Sequence, residues 1–262
     1  MPKTNTHEIR LAKGQKKLVM ITAYDALFAR LLHESADMLL VGDSLAMSFG
    51  GHADTLAIGL DEMIYHAKAV CQGAPEAFVV LDMPFGSYPD EQTALANAIR
   101  VYRESPVSAV KIEGGAEKAA IVRHLSQNAV AVMGHIGLMP QFVRAEGGWR
   151  VKGKDEANTQ KLIDDALAIE AAGAFALVIE GVKAEAAKAI TQAVKIPTIG
   201  IGAGADTDGQ VLVWSDMLGF FEGFKPKFVR RYLEGAALVR EKAADFAADV
   251  QNGRFPAEKE QY

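Results

Sequence analysis

The sequence predicts a (β/α)₈ barrel, on three observations. Eight short runs rich in apolar and β-branched residues are typical of strands buried on both faces of a parallel sheet. Segments with apolar residues on one helical face alternate with those runs. The chain has 262 residues, close to the roughly 250 that such a barrel needs. We therefore expect residues 1–262 to form a single (β/α)₈ barrel domain with a short N-terminal helix and a polar C-terminal tail.

The N-terminal segment predicts a short helix and then the first strand. Asn5 followed three residues later by Glu8 is typical of a capping box, and Gly14 stands where such a helix would end. These signals predict a helix over residues 7–13. The apolar run at residues 17–23 then predicts the first strand.

The remaining strands alternate with predicted helices. Asp25, directly after the first strand, indicates an acid at the start of a helix rather than a catalyst. Further helices are predicted around residues 63–71, 95–102 and 116–126. The seven later strands are predicted at residues 38–43, 77–82, 109–115, 129–135, 175–180, 198–202 and 210–214.

The joint between the last two strands fits this pattern poorly. Between Gly204 and Val211 there is no room for a helix, whereas a parallel connection normally needs about a dozen residues. Either the seventh and eighth units are abbreviated, or one of the two strands is misplaced.

Two segments lie outside the alternating pattern. Residues 138–154 are long, lack periodicity and carry Gly147, Gly148 and Trp149, which is typical of a lid or a binding loop. Residues 251–262 are polar, so we expect a loose tail unless another subunit holds it.

The composition argues against several partners and compartments. The formal net charge is −5 and the isoelectric point is about 5.7, and Lys and Arg form no cluster. Neither nucleic acid nor an anionic membrane surface is therefore expected as a partner. The N-terminus lacks the apolar core of a signal peptide, and no later apolar run is long enough to span a bilayer. We therefore expect a cytoplasmic protein.

The single cysteine, Cys71, cannot form an intrachain disulfide. It shares a predicted helical stripe with Met63, Ala67 and Val70. This position predicts a buried, unreactive thiol rather than a nucleophile.

Two charged residues lie on one face of the fourth predicted strand. Because side chains alternate across a strand, Lys111 and Glu113 point to the same side, opposite Val110 and Ile112. Lys and Glu are almost never fully buried unless they are paired. The pair is therefore either a structural ion pair or part of an active site, and similar residues at other strand ends favour the active site.

Three acidic residues stand at the ends of neighbouring predicted strands. Asp43, Asp82 and Glu113 end strands two, three and four, and active sites of these barrels lie at the carboxyl ends of the strands. Confined carboxylates repel unless they protonate or share a cation, and a site with only oxygen ligands suits Mg²⁺. The alternative is that each aspartate caps the helix that follows it.

Two further polar residues end strands five and six. Glu180 is expected across the barrel mouth from the acids, where nearby negative charge and partial burial raise proton affinity, as suits a general base. His135 is as often a structural hydrogen-bonding residue as a catalyst, so its role stays open.

Glycines occur in and after the seventh predicted strand, at positions 200, 202, 204 and 209. Their spacing does not match the dinucleotide-binding pattern. A barrel phosphate site near strands seven and eight and close packing of backbone around a ligand are both alternatives.

With these residues in place, the chain resembles the ketopantoate hydroxymethyltransferase family over residues 22–232. The motifs that carry the resemblance are TAYD at residues 22–25, VGDS at 41–44, DMPFGSY at 82–88, VKIEGG at 110–115, MGHIGL at 133–138, FALVIE at 175–180, IPTIGIGAG at 196–204 and KPKF at 225–228. So many motifs in one order are very specific.

The resemblance implies a (β/α)₈ barrel of the phosphoenolpyruvate/pyruvate type that uses Mg²⁺ in pantothenate and coenzyme A synthesis. It implies transfer of a hydroxymethyl group from 5,10-methylenetetrahydrofolate to α-ketoisovalerate (3-methyl-2-oxobutanoate), giving ketopantoate, by an enzyme of ten identical subunits. The site roles that it implies are metal binding by Asp43, Asp82 and Glu113, ketoacid binding by Asp43, Asp82, Ser44 and Lys111, and proton acceptance by Glu180.

Two other functions stay as alternatives. Related barrels use a similar acid cluster for carbon–carbon lyase or phosphonate chemistry, but those typically add a catalytic cysteine or a loop arginine. A metal or metabolite sensor is the other alternative, although a sensor has no need of Glu180 opposite a metal. Turnover of α-ketoisovalerate distinguishes all three.

Overall fold

Parallel strands dominate the computed structural model, which describes residues 4–223 and 225–262. In this part of the chain, eight strands pair in sequence order and the last closes on the first to complete a barrel. The strands are β1 (Leu18–Thr22), β2 (Met38–Val41), β3 (Val79–Asp82), β4 (Ala109–Glu113), β5 (Val132–Gly137), β6 (Ala176–Glu180), β7 (Thr198–Ile201) and β8 (Gly209–Leu212). The predicted fold class is confirmed.

Helices follow most of the strands. They are α1 (Thr6–Leu11), α2 (Ala26–Leu32), α3 (Leu45–Ser48), α4 (Leu60–Gly73), α5 (Glu91–Glu104), α6 (Ala119–Gln127), α7 (Glu156–Ala171), α8 (Ala184–Ala193), α9 (Trp214–Met217) and α10 (Gly235–Gln251). None of the helices in the described residues is long and apolar enough to cross a bilayer.

The chain divides into two compact units, Met1–Val213 and Trp214–Tyr262. The first unit contains every barrel strand, and the second contains α9 and α10. The expectation of one domain over residues 1–262 stays a prediction, and residues 1–3 and 224 of that range lie outside the described residues.

The barrel interior is apolar at its N-terminal end. Alternation along each strand turns every second side chain inward, and the lower inward positions carry large apolar groups. Phe78 and Phe175 meet there edge to face, with ring centroids 5.7 Å apart. Ile9 and Ala12 belong to the same buried cluster. This end is filled, so a site inside the barrel lies at the carboxyl ends of the strands.

The leading helix begins as the sequence predicts. The Asn5 side chain accepts hydrogen bonds from the backbone N–H groups of His7 and Glu8, and the Glu8 carboxylate accepts one from the Asn5 N–H. This capping box satisfies N–H groups that a helix start leaves free. Gly14 follows with φ of +67°, a conformation that favours glycine.

The joint between β7 and β8 is an abbreviated unit, as the first alternative proposed. Residues 202–208 are all described and contain no helix. Seven extended residues span about 23 Å, which exceeds the roughly 13 Å length of a four-residue strand. The Asp208 carboxylate accepts hydrogen bonds from Thr198 N at 2.9 Å and Lys13 Nζ at 2.8 Å. These bonds hold the start of β7 and the leading segment together where a helix is missing.

Most predicted strands extend one to three residues beyond the observed ones, and two of these errors have a clear reason. Residues 129–131 do not join β5, because Ala129 has φ of +64°, outside the extended region. Trp214 is not in β8 but begins α9. In the tail, α10 continues to Gln251 and residues 252–262 are exposed.

Cys71 lies as predicted on the buried side of α4, together with Met63, Ala67 and Val70. Burial raises the pKa of its thiol to about 12. At neutral pH the group is therefore a neutral thiol, which is a poor nucleophile.

Candidate active site

A polar cluster lies inside the carboxyl end of the barrel. It forms one wall of a cavity whose other wall is apolar. The residues that line the cavity are Thr22, Leu40, Asp43, Ser44, Asp82, Lys111, Glu113, His135, Pro140, Val178, Glu180, Ile201, Val211 and Val213. Every predicted site residue lines this one cavity.

Strand register explains why the charged groups meet. Asp82 of β3 pairs with Lys111 of β4, and Glu113 of β4 pairs with His135 of β5. Paired residues on neighbouring parallel strands lie at the same height and on the same face of the sheet. Asp82, Lys111, Glu113 and His135 therefore point to the same side of the sheet, into the barrel.

Lys111 lies at the centre of the cluster, and its side chain is only 4% exposed. Its Nζ is 3.0 Å from Asp82 Oδ1 and 3.6 Å from Glu113 Oε1. Burial by itself lowers the pKa of Lys111, but the charges of Asp82, Glu113 and Asp43 outweigh burial and raise it. The ammonium group is therefore charged. Lys111 forms the predicted ion pair and also lines the cavity, so the two interpretations of this strand do not exclude each other.

His135 is a neutral hydrogen-bonding residue in this arrangement. Its Nε2 lies 3.0 Å from the carbonyl oxygen of Leu138, which can only accept, so Nε2 carries the proton. Its Nδ1, 2.9 Å from Lys111 Nζ, then accepts from the ammonium group. Burial first, and Lys111 second, hold the pKa of His135 well below its ordinary value. The 3.4 Å approach of Nε2 to Glu180 Oε2 is therefore not an ion pair.

The two aspartates do not cap the helices that follow them. The Asp82 carboxylate accepts a hydrogen bond from the Asp43 N–H at 3.1 Å, and it is Asp90 whose side chain caps α5. In front of α3, the capping position belongs to Ser44, whose Oγ lies 2.9 Å from the hydroxyl of Tyr24. The capping alternative is wrong for Asp43 and Asp82, and both carboxylates face the cavity.

Two acid oxygens of the cluster are paired with Lys111 but poorly hydrogen-bonded. Asp82 Oδ1 and Glu113 Oε1 are buried 3.0 and 3.6 Å from Lys111 Nζ, and neither accepts a hydrogen bond of good geometry from the described residues. Burial raises the pKa of Glu113 to about 7 and also raises that of Asp82. Burial and then the charges of Asp82 and Glu113 raise the pKa of Asp43 well above its ordinary value. A bound cation would compensate this concentration of negative charge.

The cluster fits a hard cation as a partial set of ligands. No three Asp, Glu, His or Cys side chains in residues 4–223 and 225–262 form a ready-made metal cage. Mg²⁺ does not require one, because it is usually held by one or two carboxylates with water and substrate oxygens. Asp43 and Asp82 fit that description. Metal binding by Asp43, Asp82 and Glu113 stays a prediction.

Glu180, at the end of β6, lines the cavity together with the acids. Burial raises the pKa of Glu180 to about 8, although the charge of Lys111 opposes the rise. Its side chain is still 19% exposed, so it is open to the cavity. A carboxyl group with a pKa near the working pH is suited to accept and release a proton.

The raised pKa of Glu180 predicts that stability depends on pH. In the unfolded chain the group ionises near 4.5, whereas in the folded protein it holds its proton up to about 8. Its stabilising contribution is therefore complete below about pH 4.5 and is lost as the pH rises to about 8, by at most about 1.4 kcal/mol per pH unit. Between about pH 6 and 8 in EDTA, the wild-type Tm should fall by several degrees more than that of Glu180→Gln, which cannot ionise. Glu185→Gln, an exposed control, should behave as wild type, and parallel Tm curves for all three proteins would disprove the shift.

One residue in the site was missed by the sequence analysis. Gln141 enters the cluster from the 138–154 segment, where it lies in a 3₁₀ turn, Pro140–Phe142. Its Nε2 donates to Asp43 Oδ2 at 2.8 Å, and its backbone N–H donates to Glu113 Oε2 at 3.1 Å. The segment was identified as irregular, but a single glutamine without periodicity carries no local signal of such contacts.

The rest of the 138–154 segment is tied to its surroundings at several points. Arg144 Nε lies 2.8 Å from Asp54 Oδ2, and Lys152 forms a bridge with Val182. The exposed Arg144 pair contributes little to stability. The interpretation of this segment as a lid stays a prediction.

Close packing explains Gly200 in β7, and backbone conformation explains Gly204 after it. A Cβ at Gly200 would approach Thr207 Oγ1 to 2.7 Å, and Gly204 has φ of +80°. Both positions therefore favour glycine whether or not a ligand is bound. A phosphate site there stays untested.

Comparison with known proteins identifies related sequences over the whole chain. The family model described as ketopantoate hydroxymethyltransferase matches residues 3–258. A relative from Wolinella succinogenes named 3-methyl-2-oxobutanoate hydroxymethyltransferase is 63% identical over 262 residues, covering 100% of both chains. A relative of the same name from Helicobacter pylori is 56% identical over 260 residues, covering 99% of this chain and 96% of its own.

Solved structures share the fold at low sequence identity. A phosphonopyruvate hydrolase in complex with oxalate and Mg²⁺ has a TM-score of 0.63 at 11% identity, covering 98% of this chain and 93% of its own. A 2,3-dimethylmalate lyase of the PEP mutase/isocitrate lyase superfamily has a TM-score of 0.59 at 18% identity, covering 98% and 91%. These similarities support the barrel type.

Proposed function

This chain belongs to the ketopantoate hydroxymethyltransferase family, and from that premise we propose how its cavity works. The protein is an enzyme that transfers a hydroxymethyl group to 3-methyl-2-oxobutanoate, giving 2-dehydropantoate (ketopantoate). The observation that carries the proposal is one cavity with acids and a lysine on β2 to β4 and Glu180 on β6. We propose 5,10-methylenetetrahydrofolate as the donor.

The cavity suits a branched 2-oxo acid. Val178, Ile201 and Val211 line its apolar side, where the two methyl groups of the substrate would be removed from water. The keto and carboxylate oxygens would face the polar wall with Lys111. Ser44, which lines the same wall, would fix their orientation.

The substrate is an anion that must enter an acidic cluster, so we propose a divalent cation, Mg²⁺, as a cofactor. Asp43 and Asp82 would hold it, with Glu113 as the third acid beside them. When bound, the cation supplies positive charge that stabilises the negative charge developing on the ketone oxygen. Three buried carboxyl groups face one buried ammonium group, that of Lys111, and this excess of acid supports the assignment.

Glu180 is the proposed general base. Its carboxylate takes the hydrogen on C3, and the electron pair left on carbon attacks the one-carbon unit of the donor. Both carbon–nitrogen bonds of that unit break and tetrahydrofolate leaves. One water molecule supplies the hydroxyl oxygen, and its two hydrogens and the proton from C3 supply the hydroxyl hydrogen and the two N–H hydrogens of tetrahydrofolate. Lys111 keeps its charge throughout, which adds a second positive group near the substrate oxygens.

Oligomeric state and compartment are further proposals. A homo-oligomer, with ten subunits implied by the resemblance, is supported by the apolar side chains that α10 exposes, Leu238, Val239 and Phe246. No nucleic-acid partner is proposed, because the charge is acidic overall. A cytoplasmic location stays an expectation.

The lyase alternative is weaker than the transferase. A lyase of this barrel type is expected to show a catalytic cysteine or a loop arginine. Cys71 is buried on α4 with a raised pKa, and Arg144 of the 138–154 segment is paired with Asp54. The relatives that share more than half of the sequence carry the transferase name.

An assay with both substrates tests the proposed function. Purified protein with 3-methyl-2-oxobutanoate, 5,10-methylenetetrahydrofolate and Mg²⁺ should produce 2-dehydropantoate, identified by mass spectrometry. Omission of either substrate should abolish the product. Cleavage of dimethylmalate instead, without product from the first pair, would support the lyase and overturn the transferase.

A further inference from the structure

Gln141 forms hydrogen bonds with two acids of the cluster, although no step of the proposed reaction uses it. Its side chain is buried, and Nε2 lies 2.8 Å from Asp43 Oδ2 and 2.9 Å from the carbonyl oxygen of Met83. Both partners can only accept, so the NH₂ group of the amide faces them. The amide oxygen accepts from the hydroxyl of Tyr88, which is also buried. The orientation of the amide is therefore unambiguous.

The backbone of the same residue holds a second acid. The Gln141 N–H donates to Glu113 Oε2 at 3.1 Å, which leaves the other oxygen, Oε1, without a hydrogen bond among the described residues. One residue of a loop therefore bonds two carboxylates from different parts of the barrel, Asp43 just after β2 and Glu113 at the end of β4. Neither contact involves the atoms that react.

We propose that Gln141 is a positioning residue that fixes Asp43 and Glu113 in the orientation that binds the cation. This inference rests on the proposed metal site. A carboxylate held by hydrogen bonds loses less rotational freedom on binding a metal than a free one. Loss of such supporting hydrogen bonds typically lowers metal affinity by about 10–100-fold. The turn Pro140–Phe142 would thus tune metal affinity from outside the barrel strands.

Direct metal binding tests this role. Gln141→Met removes the amide but keeps similar volume and the backbone N–H. Electron paramagnetic resonance of Mn²⁺, without either substrate, should show affinity about 10–100-fold below wild type. Saturating Mg²⁺ should restore most of kcat, which a merely structural defect would not allow. The matched control is Gln160→Met, an exposed glutamine whose amide also bonds an aspartate, Asp164, at 2.9 Å; its affinity should equal wild type.

A second variant covers the case in which Gln141→Met does not fold. Tyr88→Phe removes only the hydroxyl that donates to the amide oxygen, so affinity should fall by a smaller factor, about two- to fivefold. Wild-type affinity in Gln141→Met, or in Tyr88→Phe where Gln141→Met does not fold, would overturn the role of Gln141 and leave the metal site standing. Failure of the wild-type protein to bind Mn²⁺ would overturn both proposals.

Discussion

Replacement of Glu180 by glutamine is expected to lower exchange of the C3 hydrogen of 3-methyl-2-oxobutanoate with solvent deuterium by about 10²–10⁴-fold. In the proposed mechanism proton removal precedes attack on the donor, so the wild-type enzyme should exchange this hydrogen with Mg²⁺ present and no folate. Glutamine keeps the shape of the side chain but cannot accept a proton as a carboxylate does. Proton NMR of the ketoacid in D₂O measures the rate directly.

Two controls separate an effect of Glu180→Gln on ketoacid binding from an effect on proton removal. Below about pH 8 Glu180 is largely protonated, so Glu180→Gln exchanges one neutral group for another and the ketoacid should bind about as tightly as to wild type. Glu185→Gln, on the exposed side of α8, should exchange at the wild-type rate. Undiminished exchange in Glu180→Gln would move the base elsewhere. His135 is a poor replacement, because Nε2 donates to Leu138 and Nδ1 accepts from Lys111.

Removal of the divalent cation should abolish turnover, and added Mg²⁺ should restore it. The acid cluster offers oxygen ligands and no thiolate, which suits Mg²⁺ rather than a soft metal. Asp82→Asn should raise the Mg²⁺ concentration needed for half-maximal activity by at least roughly 100-fold, because one charged ligand becomes neutral. Titration of Mg²⁺ into chelator-treated protein, with initial rates as the readout, measures both the recovery of turnover and the Mg²⁺ concentration for half-maximal activity.

A capping aspartate provides the control for Asp82→Asn. Asp90 accepts from the Thr93 N–H at the start of α5, outside the cavity, and asparagine caps helices about as well as aspartate. Asp90→Asn should therefore need the wild-type Mg²⁺ concentration. Full wild-type activity in excess chelator would refute the metal assignment and return the cluster to a structural role centred on Lys111.

The residues of the site were predictable because their signals are local. Alternation along β4 placed Lys111 and Glu113 on one face, and the order of the strands placed Asp82 beside them. The end of an apolar run marks the carboxyl end of a strand, so Glu180 was also assigned to the barrel mouth. These inferences need only neighbours in sequence and the geometry of one fold class.

The protonation states of the site residues were not predictable in the same way. His135 was undecided from sequence, and it is the Leu138 carbonyl and the Lys111 ammonium that make it neutral. The pKa of Glu180 depends on how completely the barrel buries it. Burial and Coulomb energies depend on three-dimensional distance, which composition does not contain.

The sequence by itself determined the barrel, the strand ends and the residue types that face the cavity, since each follows from periodicity within a few residues. Only the tertiary structure decided which loop completes the acid cluster. Gln141 and Asp43 are 98 positions apart, and a glutamine amide bonds whatever acceptor the folded chain brings within about 3 Å. The return of the chain from β7 to β8 was decided likewise, because the bonds of Asp208 to Thr198 and Lys13 form only once the barrel closes.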